Sequence, residues 1–495
     1  MDQSFLSPRA RRHASTFFFL IPLLSGCVTT GDIQPAERVH DLDQLALLAN
    51  PGKLPVQPAA WPQQDWWREI EDHQLHQLIQ EALASHPDMA MATARLRAAQ
   101  AQEQTESAAL WPALSGQASI SGNRSSAIAN AGDPDAGHFG WSHSLGLSLQ
   151  WPLDAWGEQS AAWKSSLSKM RVAQIETQAA RLLLSINVAR AYLNLRYAHE
   201  SLDLAEADVM RANTLLELTR QRFDSGIIER APWEQARSEA GKALAERDRS
   251  RQVVAAGALQ LALLLGQEPA RANSLARPAP WPTTTLALPS LLPADLLGRR
   301  PDLVAARWSV EAARQGIEGT KARFLPNINL SLLASLATRG ASNLFQAASR
   351  QYAVSPAMSL PLFDAGTLRA DLRYQTSQYD LAVAHYNKLL LSALSEIAES
   401  IQVIDLLDRQ SQAQTQALDA ATQRWTLAAV RHRQGIGNQL DVLSLQQPLL
   451  QARQRLAQLQ REQDDRRLLL IAALGGGFHA TPTDRALLVA PSSQP

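Results

Sequence analysis

A thiol placed where it can be acylated is the first reactive group of this 495-residue chain: Cys27, its single cysteine, stands directly behind Leu24-Ser25-Gly26. Arg9, Arg11 and Arg12 precede an apolar run from Phe17 to Leu24. That order, basic then apolar then small, is that of a secretory signal, and the run is too short to span a bilayer. One cysteine also excludes an intramolecular disulfide framework. His73 and His76, three apart beside Asp72, could offer two nitrogens to a metal. No third ligand is near, so a surface or collar position suits them better. Gly475-Gly476-Gly477 closes a helical pattern and precedes no lysine, unlike a phosphate loop. Asp441 has the ordinary role of a solvated carboxylate at the positive start of a helix open to it. No Ser-His-Asp or paired-carboxylate arrangement has a supporting context, which argues against an enzyme.

The segment around Cys27 resembles a bacterial lipoprotein signal. That resemblance implies cleavage before Cys27, an S-diacylglycerol on its thiol and an N-palmitoyl group on the new amino terminus, with no dissociable cofactor. Two or more acyl chains anchor stably where one does not. Val28 follows, with no aspartate there, which by analogy favours sorting to the outer membrane. The chain carries 47 basic and 47 acidic residues, so nothing in its charge invites nucleic acid as a partner.

The elements that would position such groups are long. From Leu153 to Ala231 there are 79 residues without proline, which permits one unbroken helix. Val172, Ile175, Ala179, Leu182, Ile186, Ala189 and Leu193 alternate steps of three and four, a heptad seam. A second seam runs beside it through Leu184, Val188, Ala191, Leu195, Ala198 and Leu202. Two adjacent seams let a helix sit between neighbours on both sides, as in a ring of helices. The span 157–224 is roughly 100 Å long at helical rise. Arg222-Phe223-Asp224-Ser225-Gly226 ends it with a glycine cap, and Pro232 opens a returning helix to Gly266.

Ahead of that helix the texture changes. Between Pro112 and Pro152 the only Asp, Glu, Lys or Arg residues are Arg124, Asp133 and Asp135, which sit where a hairpin loop would be. Leu145, Leu147, Leu149 and Trp151 alternate with Gly146, Ser148 and Gln150, the period of a strand with one apolar face. A soluble hairpin usually carries charge on its wet face. Arms without any charge fit transmembrane strands of about 9–11 residues.

The chain then repeats itself. Pro87-Asp88 matches Pro301-Asp302 and Pro112 matches Pro326, both at an offset of 214. Pro152 matches Pro361, Gly157 matches Gly366, Gly226 matches Gly435 and Gly266 matches Gly475, all at 209. The offset changes only inside the hairpin, where loops tolerate a length change. The predicted division is a signal over 1–26, a lipid-anchored strap over 27–65 and a first repeat over 66–266. Within that repeat the hairpin covers about 113–152 and the long helix about 157–224. A proline-rich linker covers 267–291. The second repeat covers 292–477, with its hairpin over about 327–362 and its helix over about 366–434, and a tail covers 478–495. Pro448 falls inside the last helix and is predicted to kink it.

Four strands per chain cannot close a barrel, and open edges leave backbone groups unsatisfied in lipid. Three copies would supply twelve strands, with the helices continuing the ring as a tube: a conduit. The fold class expected is therefore mainly α with transmembrane β, an internally duplicated chain whose homotrimer joins a coiled-coil barrel to a twelve-stranded β-barrel.

Arg299-Arg300-Pro301-Asp302, Pro361-Leu362-Phe363-Asp364-Ala365-Gly366 and Gly435 followed by Leu440-Asp441-Val442-Leu443 carry a further resemblance. With the lipoprotein signal they make the chain similar to TolC-like outer-membrane factors, of the OprM and NodT type, over nearly all of the mature sequence. The resemblance implies a homotrimer in outer-membrane lipid, a helical tunnel in the periplasm and a mixed equatorial collar. It also implies docking onto a periplasmic adaptor of the membrane-fusion type and an inner-membrane pump of the resistance-nodulation-division class. In that family the tunnel tip is closed by aspartate rings and by links from a tyrosine and an arginine. Asp441 falls on one aspartate position, while Ser444 stands at the second, His432 at the tyrosine and Gly437 at the arginine. Three copies of Asp441 would set like charges around a narrow axis and favour cations. The function implied is passive export of drugs or other small toxic compounds. Two alternatives stay open: the outer-membrane duct of a type I secretion system, and a lipid-anchored periplasmic coiled-coil scaffold, which would not explain the charge-free hairpins.

Overall fold

The computed structural model describes residues 29–40, 56–57, 61–124, 126, 128, 136–280, 288–289 and 298–489. Cys27 and residues 490–495 lie outside them. In chain order the helices and long strands are α1 His73–Ser85, α2 Pro87–Ala108, β1 Ala113–Arg124, β2 Phe139–Leu153, α3 Glu158–Asp224 and α4 Arg230–Leu264. After the linker come α5 Pro301–Ala322, β3 Asn327–Thr338, β4 Arg350–Ser359, α6 Thr367–Arg433, α7 Gln439–Ala473 and α8 Pro482–Val489.

The halves are copies of one plan. α2 and α5 have 22 residues each, α3 and α6 have 67, and α4 and α7 have 35. Their first residues keep the two offsets: 301 − 87 and 327 − 113 give 214, while 367 − 158 and 439 − 230 give 209. Both long helices turn back through the same bonds. The amide of Ile227 donates to the Arg222 carbonyl at 2.8 Å, and that of Ile436 to Arg431 at 3.0 Å. Gly226 and Gly435 take φ of 71° and 76° between them, a conformation that strains any residue with a Cβ.

Through the middle of α3 the double seam is buried. Ile186, Ala189 and Leu193 on one side and Val188, Ala191 and Leu195 on the other are all nearly inaccessible. The reason is position: α3 packs against α2, α4, α5 and α7 together. α6 packs only against α5 and α7 among the long helices, burying Leu390, Ile397, Ile401 and Ile404. Trp66 and Trp67, in a 3-10 turn, join α1 and the middle of α3 in one core, with Trp66 Nε1 donating to Ser185 Oγ. His76 lies beside this core. Its Nε2 lies 2.8 Å from the Trp67 carbonyl and 2.7 Å from that of Ile70, so it braces the turn.

Residues 29–40 run along α6. The amides of Ala36 and Glu37 donate to Asp380 Oδ1, and Asn387 bonds both the amide of His40 and the carbonyl of Arg38. Val56–Gln57 pair in parallel with Leu288–Pro289, tying strap to linker. α7 continues through Pro448, whose ring removes the amide that would close on the Ser444 carbonyl. The segment expected as a tail contains α8, seated by Asp484. That carboxylate is 3% exposed and accepts from Trp308 Nε1 at 2.8 Å and from the amide and hydroxyl of Thr481.

Candidate membrane surface and periplasmic gate

Among the described residues no helix is long and apolar enough to cross a membrane, and no group of side chains could hold a metal ion. The surface suited to lipid is the sheet. Its four strands are antiparallel in the order β1-β2-β3-β4, so β2 and β3 join the two halves and β1 and β4 are open edges. Register sorts the side chains by face. Leu149 stands opposite Leu114 and Leu332, and Leu332 opposite Val354. Leu147, Leu145, Trp151, Leu330 and Ile328 extend that face along the strands. Exposure of Leu114, Ile120, Val354 and Met358, each about two-thirds or more, shows that nothing within the chain covers it at the edges. Residues so apolar and so open require a nonaqueous partner.

The other face is polar and uncharged. Ser115 meets Ser148, Ser119 meets Ser144 and Ser121 meets Ser142, each hydroxyl pair at 2.8 Å. Asn329, Ser331, Ser335, Gln351 and Ser355 continue it through β3 and β4. Small hydroxyl and amide side chains of this kind solvate a wet lumen without imposing a fixed charge.

Carboxylates couple the sheet to the rods. Asp154 accepts from the amides of Gln159 and Ser160 and from Ser160 Oγ at the start of α3. Asp364 accepts from the amides of Gly366 and Leu368 at the start of α6. Burial works to raise the Asp154 carboxyl, but the bonds from Ser160 and Gln159 outweigh it and hold it below the ordinary carboxylate range. The Leu368 amide does the same for Asp364. A depressed folded pKa contributes stability that is present above the unfolded value and is lost as pH falls through the folded one. Asp154→Asn, which keeps an acceptor but removes the charge, is therefore expected to lower stability modestly at neutral pH. Melting temperatures of wild type and variant should converge in acid, read by calorimetry across pH.

The residues expected to form a gate lie together at the far tip of the second helical hairpin. Asp441 is in the first turn of α7, exposed, with no ion pair among the described residues. Ser444 follows on the same face, its hydroxyl donating to the Asp441 carbonyl at 3.0 Å. His432, in the last turn of α6, reaches the turn through Nδ1 and the Gly437 carbonyl at 3.2 Å. No hydrogen bond joins it to Asp441. A Cβ on Gly437 would lie 2.9 Å from the His432 amide nitrogen, so the turn has no room for an arginine there without shifting. Asn438, which sequence reasoning passed over, does two jobs. Its Oδ1 caps α7 by accepting from the Leu440 amide and also accepts from Arg222 Nη2 at 3.2 Å, tying the two hairpin tips. An Asn directly before a helix was the available signal. The first tip is closed differently, by Phe223 stacked on Trp233 at 5.3 Å.

This arrangement recurs in known proteins. A family model described as outer membrane efflux protein matches residues 78–267 and 292–476, one segment in each half. Multidrug resistance outer membrane protein MdtQ of Escherichia coli O157:H7 is 30% identical over 470 residues, 93% of this chain and 97% of that protein. Fusaric acid resistance protein FusA of Burkholderia cepacia is 33% identical over 358 residues, 71% of this chain and 66% of that protein. The crystal structure of the outer membrane protein VceC from Vibrio cholerae superposes with a TM-score of 0.77 at 33% identity, covering 85% of this chain and all of that one. Matched through both repeats, the chain belongs to the outer membrane efflux protein family.

Proposed function

We propose that three copies close their sheets into a twelve-stranded barrel continuous with a helical tunnel, a passive conduit of a tripartite pump. The observation that carries this reading is the sheet: one uncharged polar face, one apolar face and two unpaired edges, set on rods of 67 residues. The repeat supplies a second argument. Tyr197 on α3 is buried and donates to Asp464 of α7 at 3.0 Å, where burial raises both groups from their ordinary values. Its repeat mate on α6 is Leu406, which is 53% exposed. α6 lacks the neighbours α3 has, and a second copy would supply them.

In this reading Cys27 carries S-diacylglycerol and N-palmitoyl groups and holds the strap to outer-membrane lipid. An adaptor of the membrane-fusion type and an inner-membrane pump deliver the cargo. The names of the relatives support drugs and other small toxic compounds as that cargo. Asp441, with His432 and Ser444 beside it, forms a ring of like charge at the tunnel tip.

Planar-bilayer conductance tests the proposal. Wild-type trimer should open in steps with a preference for cations, and Asp441→Ala should weaken that preference and lengthen the open time. An unchanged variant would move the gate elsewhere, and a trimer without conductance would sink the conduit.

A further inference from the structure

We propose that each seam between neighbouring copies binds a phosphate of an outer-leaflet glycolipid, held by Arg350 and Tyr352 of one copy and Arg124 of the next. This rests on the trimeric barrel proposed above. On the apolar face of the described strands there are two arginines and no acidic side chain. Arg124 is the last residue of β1 and Arg350 the first of β4, so both stand at the loop end of the sheet, remote from the helices.

Within one chain these arginines lie on opposite edges, three strand spacings apart across the sheet and, because Arg350 is level with Ala118, six residues apart along it, roughly 25 Å in all. Closure of the barrel brings the edges together, and the duplication states the register. His143 of β2 stands opposite Thr338 of β3, and Leu145 opposite Leu336. Carried through the repeat, with β2 shifted by 209 to β4 and β3 by 214 back to β1, those pairs become Tyr352 opposite Arg124 and Val354 opposite Gly122. Face matches face in both. Arg350, two residues from Tyr352 on the same face, is then diagonal to Arg124, within reach of a long side chain.

Two guanidinium groups set this close at a lipid boundary repel one another unless an anion lies between them. Arg124 is oriented by its Nε, which donates to the Gly137 carbonyl at 2.7 Å. Phosphate matches the guanidinium fork, and the Tyr352 hydroxyl adds a donor. Phe139, opposite Arg124, meets Trp141 edge-on at 5.7 Å, the kind of aromatic belt that marks the interfacial level. Below that level Val354 and Leu332 continue as a surface for acyl chains. A lipid phosphate can use both parts of the site, whereas a free phosphate can use only the first.

Native mass spectrometry of the detergent-purified protein tests this, after light scattering has established its oligomeric state. The probes are bisphosphorylated lipid A, the same lipid without phosphate, and inorganic phosphate as competitor. Wild type should bind one lipid per seam, and Arg124→Gln with Arg350→Gln should weaken binding by about tenfold or more while the trimer persists. The double lysine variant should retain part of it. Undiminished binding by a trimeric glutamine variant would overturn the site, as would equal binding of the phosphate-free lipid or displacement by inorganic phosphate. A monomeric wild type would overturn the trimeric reading and the site with it.

Discussion

Leu332→Arg is expected to abolish trimer in the outer membrane, whereas Ser331→Arg, one residue away, leaves assembly intact and changes ion selectivity. Leu332 is in the middle of β3, between Leu149 and Val354 on the apolar face. Arginine at the midplane of a lipid-facing strand costs about 2–4 kcal/mol, and in a trimer the cost falls three times, roughly 6–12 kcal/mol. That is comparable with the whole stability of a typical folded protein, about 5–15 kcal/mol. Ser331 faces the other way, opposite Gln150 and Ser355. In the proposed barrel a cation there stands in water, and it adds charge to a polar face that otherwise has none among the described strands. The readout is heat-resistant trimer in the membrane fraction, followed by reversal potential in planar bilayers for the variant that assembles. Equal loss of trimer in both variants would mean that the two faces are not lipid and water.

For β2 the two faces were legible in the sequence because a strand alternates strictly. Leu145, Leu147, Leu149 and Trp151 announce their face without knowledge of any partner. The rods were legible for a related reason, since proline-free heptads and glycine caps are local signals. What could not be read was pairing at a distance. That β2 joins β3 depends on strands from different halves meeting, and no local pattern records it. α8 escaped because it is held by Asp484 and Trp308, partners 176 residues apart, rather than by its own eight residues. At the tip of the second hairpin, Asp441 and Ser444 share a turn as their spacing requires. The tie from Arg222 to Asn438 is invisible until the two hairpins lie side by side. Cys27 lies outside the described residues, and its acylation remains a proposal carried by the signal preceding it.

The duplication also converts exposed residues into a statement about a second copy, which leads to the other large effect: a trimer joined covalently through Met91→Cys and Leu381→Cys. Val172 on α3 and Ala305 on α5 belong to one apolar cluster with Ile175, Val304 and Trp308. Their repeat mates are Leu381, at 172 + 209, and Met91, at 305 − 214. Neither mate is covered: Leu381 is 63% exposed and Met91 is 49% exposed. They cannot meet within the chain, because α6 does not pack against α2. In a closed ring α2 of the next copy would occupy beside α6 the place α5 occupies beside α3, and Met91 would cover Leu381. Each contact is heterologous, so a linker across it must build dimer and then closed trimer, with nothing larger. With the double variant in native membranes, a short bismaleimide should convert most of the protein to trimer on denaturing gels, with dimer as the intermediate. Met91→Cys or Leu381→Cys alone, with Cys27 acylated, should give only monomer, since like residues are far apart around the ring. A ladder running past trimer would show that the rotation between copies does not close, and a double variant that stays monomeric would place some other surface against α6.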